Sequence, residues 1–253
     1  MAQTNFFVNI IDILQKYGVS YLKGAGTTLV IALVSTAIGC LIGFLVGIVQ
    51  TIPLDKKRDS LPKRFGLKLI QIIFRIYVEV FRGTPMIVQA VFIYYGLAQM
   101  FNVKMGMWTA AILVVSINTG AYMAESVRGG IISVNVGQTE GAKAIGMNHF
   151  QSMLYVIIPQ AFRNIMPQIG NNLIINIKDT SVLSVISIVE LFFVHKSVTG
   201  ALYMYFESAT IVMAIYLTMT VTASKLLRWW ERKLDGDANY EMVDSMGIGD
   251  QMR

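Results

Sequence analysis

Charged residues are absent from long stretches of this chain, and those stretches have the length of membrane-spanning helices. Residues 24–54 are 31 in a row without Asp, Glu, Lys or Arg. Further uncharged runs cover 83–103 (21 residues), 105–124 (20) and 208–224 (17). Crossing the hydrocarbon core takes about 20 residues of helix. A fifth stretch, 164–189, is two apolar runs interrupted by Lys178-Asp179. Five spans are predicted, at about 26–50, 84–101, 107–127, 165–190 and 206–227. No series of ten-residue segments alternates as a transmembrane barrel requires. The predicted fold class is all-α and integral to the membrane.

Composition agrees. Of 253 residues, 55% are apolar and only 14% charged, with a mean hydropathy of +0.58. That is too little charge to cover a soluble domain, and far too much apolar surface for a disordered chain. Cys40 is the only cysteine, which excludes a disulfide scaffold. Lys and Arg then orient the chain. With five spans, the segments 55–68 and 128–163 and the end of the last span share one side and carry 13 basic residues, against 4 on the other side. The positive-inside rule puts that basic side, with the C-terminus, in the cytoplasm and the N-terminus outside. The net charge of +6 is this asymmetry and needs no nucleic-acid partner.

The chain divides into a lead (1–23), a membrane domain (24–230) and a tail (231–253). The lead has no basic region of a cleavable signal. Its Phe6, Ile10, Ile13, Leu14, Tyr17 and Tyr21 fall on one helical face, which predicts a helix lying flat at the outer interface. The tail is acidic through Asp235, Asp237, Glu241, Asp244 and Asp250, and disorder is expected there.

Several features inside the spans carry chemistry or packing. Ser35, Gly39, Gly43 and Gly47 place a small residue at every fourth position, a ridge that lets two helix backbones approach closely. Arg75, Glu79 and Arg82 share a face of an amphipathic lead into the second span. This charge stripe is either a solvated face or the polar wall of a passage. Thr84 is placed to cap the second span, with Pro85 at its first position. Asn118, Tyr122 and Glu125 share a face of the third span, and Arg128 is placed to pair with Glu125. Polar groups at membrane depth need a partner or a wet cavity. In the fourth stretch, Lys178-Asp179-Thr180-Ser181 predicts a broken helix, with Asp179 or Thr180 capping a new half-helix.

The segment 129–163 is too polar to span and too apolar for a linker. Thr139 is a cap for a short helix from Glu140, and Gly146 ends it in the left-handed conformation. Asn148 and Gln151 complete a capping box for a second helix, with Pro159 near its end. Gly141 and Ala142 keep the first helix slim, while Ile145, Met147 and Phe150 supply an apolar tip. That shape suits docking in a partner's groove.

The spacing of Glu140-Gly141-Ala142, Gly146, Val156, Ile158 and Pro159 resembles the EAA loop of permease subunits of ATP-binding-cassette (ABC) importers. Arg82-Gly83-Thr84-Pro85, Gly120-Ala121-Tyr122 with Glu125 and Arg128-Gly129-Gly130, Gly137-Gln138, Pro159-Gln160-Ala161, Asn171 and Lys178-Asp179-Thr180-Ser181 are similar to its polar amino-acid uptake branch, the histidine/glutamine/arginine-type permeases. The likeness runs from about residue 20 to 230. It implies the type I (MetI-like) permease fold, in a bacterial cytoplasmic membrane, with the loop between spans three and four as the coupling helix. Glu140, Gly141, Ala142, Gly146, Met147, Phe150 and Pro159 are then the ATPase-coupling residues. The implied partners are two nucleotide-binding ATPase subunits, a second permease chain (identical or paralogous), an extracytoplasmic amino-acid-binding protein and membrane lipid. The implied cargo is a polar amino acid. ATP and Mg would be bound by the partner ATPase, because this chain has no Gly-x-x-x-x-Gly-Lys-Ser/Thr motif. Gly141 departs from the family's usual Ala and softens the helix by up to about 1 kcal/mol.

An amino acid carries both an ammonium and a carboxylate, and Glu79, Arg82, Glu125, Lys178 and Asp179 supply both signs. Together with Asn118, Tyr122 and Thr180 they are the candidate translocation path. An ion-coupled carrier or channel is the alternative, but no inverted repeat relates the two halves. An intramembrane enzyme is disfavoured. His149 and His195 are the only histidines, with no metal-binding motif around them.

Overall fold

The computed structural model describes residues 5–54 and 60–235. Of the acidic tail expected to be disordered at 231–253, residues 231–235 are instead the last residues of the final helix; the rest, and the basic cluster Lys56-Lys57-Arg58, lie outside the described residues. The described elements are helical throughout. They are α1 (Phe6–Thr51), α2 (Leu61–Gly83), α3 (Met86–Val91), α4 (Leu97–Phe101), α5 (Met107–Ile132), α6 (Val136–Ala144), α7 (His149–Ser152), α8 (Ile158–Asp179), α9 (Leu191–Leu202) and α10 (Tyr205–Asp235). A wide π turn, Phe92–Gly96, joins α3 to α4. Another, Met153–Ile157, joins α7 to α8, and a 3₁₀ turn, Thr180–Ile186, follows α8.

Three described helices are long and apolar enough to cross a membrane: Phe6–Thr51, Met107–Ile132 and Tyr205–Trp230. The pair Leu61–Gly83 and Met86–Phe101 qualifies together, bent by 111° at Thr84-Pro85. Thr84 does not cap the second half as its position suggests. Its hydroxyl donates to Val80 O (2.8 Å), while Gln89 Nε2 reaches Thr84 O, Thr84 Oγ1 and Phe81 O at 2.9–3.0 Å. The glutamine amide, from inside α3, covers the carbonyls freed by the bend.

α1 runs unbroken through 46 residues, roughly 70 Å at 1.5 Å per residue. The lead expected to lie flat at the interface is therefore the first part of the first span's own helix. Most of its apolar face turns inward: Ile13 and Tyr21 are buried, and Ile10 and Tyr17 partly so, against Leu191, Val194, Val198, Ile211 and Val212, while Phe6 and Leu14 are exposed. Polar bonds fasten the same contact. Tyr21 Oη lies 2.6 Å from Ser208 Oγ, which lies 2.9 Å from His195 Nδ1, and Asn9 donates to Glu207 (3.0 Å).

The small-residue ridge packs as its spacing predicts. A Cβ on Gly39, Gly43 or Gly47 would come within 2.6, 2.3 or 2.7 Å of Thr119, Met123 and Val127 on α5. Only glycine lets α1 and α5 meet at this separation. Beside this seam, Asn176 of α8 is buried and donates to Thr36 Oγ1 on α1 (2.7 Å) and Thr119 Oγ1 on α5 (2.9 Å). One amide thus ties three helices together where the alternative is an unsatisfied group in an apolar surrounding.

The fourth predicted span, 165–190, is not one helix. α8 ends at Asp179, as the charges there lead one to expect, but the cap does not form. Asp179 makes no capping bond, and Thr180 Oγ1 donates back to Ile177 O (3.0 Å). The backbone tightens to 3₁₀ and turns at Ser187 (φ 65°). Glu190 caps the next helix, its carboxylate accepting from the N–H groups of Phe192 (2.8 Å) and Phe193 (2.6 Å) and from Tyr216 Oη (3.1 Å).

Candidate functional site

Two separate groups of the predicted site residues are brought together, and a third stands apart. In the first, α2 and the end of α5 enclose a cleft of about 480 Å³ lined by Gln50, Gln71, Arg75, Glu79, Arg82, Glu125 and Arg128. Glu125 pairs with Arg128 one turn on, Arg128 Nε lying 3.3 Å from Glu125 Oε2 and Nη2 closing the second contact to Oε1. Arg82 adds a looser contact to Glu125 (3.8 Å) and lies over the Tyr122 ring at 5.5 Å. The charge stripe on α2 is therefore a cleft wall. Asn118 is not in the lining of that cleft; it donates to Phe81 O (3.1 Å) and Gln89 Oε1 (3.0 Å) and so fastens the α2–α3 bend. Tyr77 Oη donates to Ile117 O (2.6 Å) and holds α2 against α5.

Lys178, Asp179 and Thr180 are not part of that cleft. Lys178 and Asp179 are exposed at the end of α8, and Thr180 is buried in the 3₁₀ turn behind them. That turn packs on α3, where Leu183 and Ile186 join Ala90, Val114 and Val115 in one apolar cluster.

The second group is the loop between α5 and α8. The helix α6 starts earlier than Thr139 suggests, because Asn135 caps it by accepting from Gly137 N (2.8 Å). Thr139 is inside the helix. The end is as expected. Gly146 has φ 86°, its N–H reaches Lys143 O (3.0 Å), and Met147 N–H reaches Ala142 O (3.0 Å). These two bonds form a Schellman motif. The Asn148–Gln151 capping box is present with both bonds at 2.9 Å. Pro159 does not lie near the end of this second helix. α7 passes through the π turn into α8, and Pro159 sits in α8's first turn. The widened turn accommodates the ring and the missing N–H, and Gln160 Nε2 donates to Val156 O (2.8 Å).

On this loop Ala142 is buried against the chain itself, while Glu140 and Gly141 face open space. Ile145 (75% exposed) and Phe150 (72%) project from the turn, with Met147 half-buried between them. Partial burial, and then the charge of Lys143, hold the His149 imidazole below its ordinary pKa, so the tip is uncharged at His149 near neutral pH. Gln160 bonds Gln138 (3.3 Å), and Asn164 donates to Ser133 Oγ (2.9 Å), fastening the loop to the base of α8. Among the described residues no three His, Cys, Asp or Glu side chains gather to hold a metal.

Asn176 and Glu190 carry two of the tightest polar junctions, yet neither stood out in the sequence. Asn176 lacked a nearby partner, and Glu is not a preferred cap residue.

Three helices long and apolar enough to cross a membrane, a bent pair that qualifies as a fourth, and a charged cleft between α2 and α5 are what the described residues offer. Residues 64–236 match the binding-protein-dependent transport system inner membrane component family. The chain belongs to that family. It is 35% identical over 214 residues to the glutamine transport system permease protein GlnP of Escherichia coli, covering 84% of this chain and 92% of the relative. It is 37% identical over 222 residues to the nopaline transport system permease protein NocM of Agrobacterium fabrum (83% and 86%). Among solved structures, one chain of an amino acid ABC transporter with histidines superposes with a TM-score of 0.78 at 36% identity, covering 91% of this chain and 99% of that one. The MetNI methionine transporter, at 16% identity and a TM-score of 0.62, shares the fold. The protein is thus an ABC importer permease subunit with the MetI-like fold, and not an ion-coupled carrier.

Proposed function

We propose that this chain is the membrane-spanning subunit of an ATP-driven importer for a polar amino acid, coupled through residues 129–163 to a separate ATPase. The observation that carries the coupling role is the α6–α7 loop. It is capped at both ends and pinned to α8, and it presents an open glycine face with the apolar tips Ile145 and Phe150. A slim helix fastened at both ends is suited to passing a push on to α8, even with Gly141 softening it. Two ATPase subunits would bind beneath, carrying the ATP and Mg. A second permease chain would complete the passage, and an extracytoplasmic binding protein would deliver the cargo. Relatives named for glutamine and for arginine support a polar amino acid. The basic-residue asymmetry supports an outer N-terminus and a cytoplasmic C-terminus.

The candidate path has two stations. Lys178, Asp179 and Thr180 mark one at the broken end of α8. Glu79, Arg82, Tyr122 and Glu125, with Asn118 at the neighbouring α2–α3 bend, mark the other at the cleft between α2 and α5. Each offers both signs of charge to a zwitterion.

Copurification in gentle detergent tests the reading: a Walker-motif ATPase should come down with this chain and hydrolyse ATP. Gly141→Trp places a large ring where nothing lies within 4 Å, so the variant should insert and fold normally yet lose ATP-coupled uptake. Normal uptake by that variant removes the docking assignment.

A further inference from the structure

The two faces of α8 make opposite demands on their surroundings. Asn164, Gln168, Asn171 and Lys178 fall on one exposed stripe, which hydrocarbon does not tolerate. That side needs protein or water. Leu173 and Ile177 lie on the opposite face and, with Leu29 and Leu33 of α1 and Leu226 and Trp230 of α10, line an apolar groove of about 590 Å³. A second hollow of about 490 Å³ shares Leu33 and Leu173 and extends the groove along α1 and α8. Towards the C-terminal end of α10 the lining includes Trp229, and Lys233 Nζ sits over its ring at 5.5 Å from the centroid. Lys225 is exposed and lies four residues before Trp229, on the same side of α10 as Trp229 and Lys233 but outside the lining of the groove. The apolar trough therefore includes, near the C-terminal end of α10, a tryptophan with a lysine over its ring and a second lysine one helical turn before it in the chain.

We propose that this groove binds an anionic phospholipid, with an acyl chain along α1, α8 and α10 and the headgroup phosphate between Lys225 and Lys233. A tryptophan with flanking cations is the side-chain set of a membrane–water boundary, and basic pockets between spanning helices take anionic headgroups. A second copy of the chain fits this face poorly. In a two-fold contact the same patch meets itself, which would set lysine against lysine and leave the polar stripe of α8 facing lipid. The site depends on the chain lying in a bilayer and is independent of which cargo is carried.

The test uses the assembled transporter, extracted from membranes containing equal amounts of phosphatidylglycerol and phosphatidylcholine, with retained lipid counted by native mass spectrometry. Phosphatidylglycerol should be enriched roughly tenfold or more, as two lysines at an anionic headgroup imply. Lys225→Gln with Lys233→Gln should abolish the enrichment while leaving the detergent melting temperature unchanged. Thr222→Trp, which fills the groove, should lower retention of both lipids at this site. Equal retention of the two lipids, or enrichment that survives the double substitution, overturns the proposal. So does efficient disulfide cross-linking between copies of Leu226→Cys in a Cys40→Ala background, which would place a second chain in the groove. A transporter that fails to carry an amino acid would leave these readouts intact.

Discussion

The two sides of α5 are built on opposite terms. On one side Thr119, Met123 and Val127 meet Gly39, Gly43 and Gly47 of α1 so closely that no Cβ fits between the backbones. On the other, one residue round the helix, Tyr122, Glu125 and Arg128 face α2 across a cleft of about 480 Å³. Small residues let one pair of helices fuse, and long charged side chains hold the other pair apart. In lipid, where association rests on close packing and not on water exclusion, the first arrangement is rigid. The second keeps room that a zwitterion or a moving helix can use. The fused seam gives the open cleft a fixed wall.

The sharpest way to break this comparison is to put a side chain into the seam. Gly43→Leu would drive a Cβ to 2.3 Å from that of Met123 and 2.9 Å from the Ala124 backbone nitrogen. Backbone cannot yield as a side chain can, so a loss of about 3 kcal/mol or more is expected. It should be seen as loss of monodisperse protein after detergent extraction. Wild-type yield and melting temperature would mean that the helices are farther apart than described.

A smaller effect is expected from Asn176→Ala, which leaves the Thr36 and Thr119 hydroxyls without their shared donor. Hydrogen bonds between spanning helices are worth about 1 kcal/mol. The melting temperature in detergent should fall measurably, and less than for Gly43→Leu. A larger fall than Gly43→Leu would make the amide, not the glycines, the chief fastening of the seam.

On the open side, Glu125→Gln should cost little stability, under about 1 kcal/mol, because the Glu125–Arg128 pair is partly exposed. Uptake per inserted molecule should nonetheless drop severalfold if the cleft lies on the path, and Arg82→Gln should act in the same direction. Unchanged uptake with normal expression would leave the cleft as an internal ion-pair store. A large loss of stability would show that this face is also structural.

The features readable in advance were the local ones. The Gly146 turn and the Asn148–Gln151 box depend on residues within one helical turn of each other. The Glu125–Arg128 pair follows from a spacing of three. The glycine ridge announces its own close contact, though not its partner helix. The errors were also local in origin, where two acceptable local solutions competed. Asn135 and Thr139 are both fair caps, and the earlier one won with a bond to Gly137. Pro159 reads as a helix end, yet the π turn before it absorbs the missing N–H. Thr84 reads as a cap, yet Gln89 does the covering.

By itself the sequence determined that this is a helical membrane chain, where its apolar runs lie, and that a capped helix–turn–helix stands between α5 and α8. Those properties follow from nearest-neighbour chemistry and from the bilayer acting as solvent. Tertiary structure alone decided that the amphipathic lead folds inward against α9 and α10. It also decided that Asn176 joins three helices, and that Glu79, Arg82 and Glu125 share a cleft while Lys178 and Asp179 lie outside it. These are contacts between residues tens to well over a hundred positions apart. They exist only once the seam of α1 and α5 has set which face of each helix is already taken.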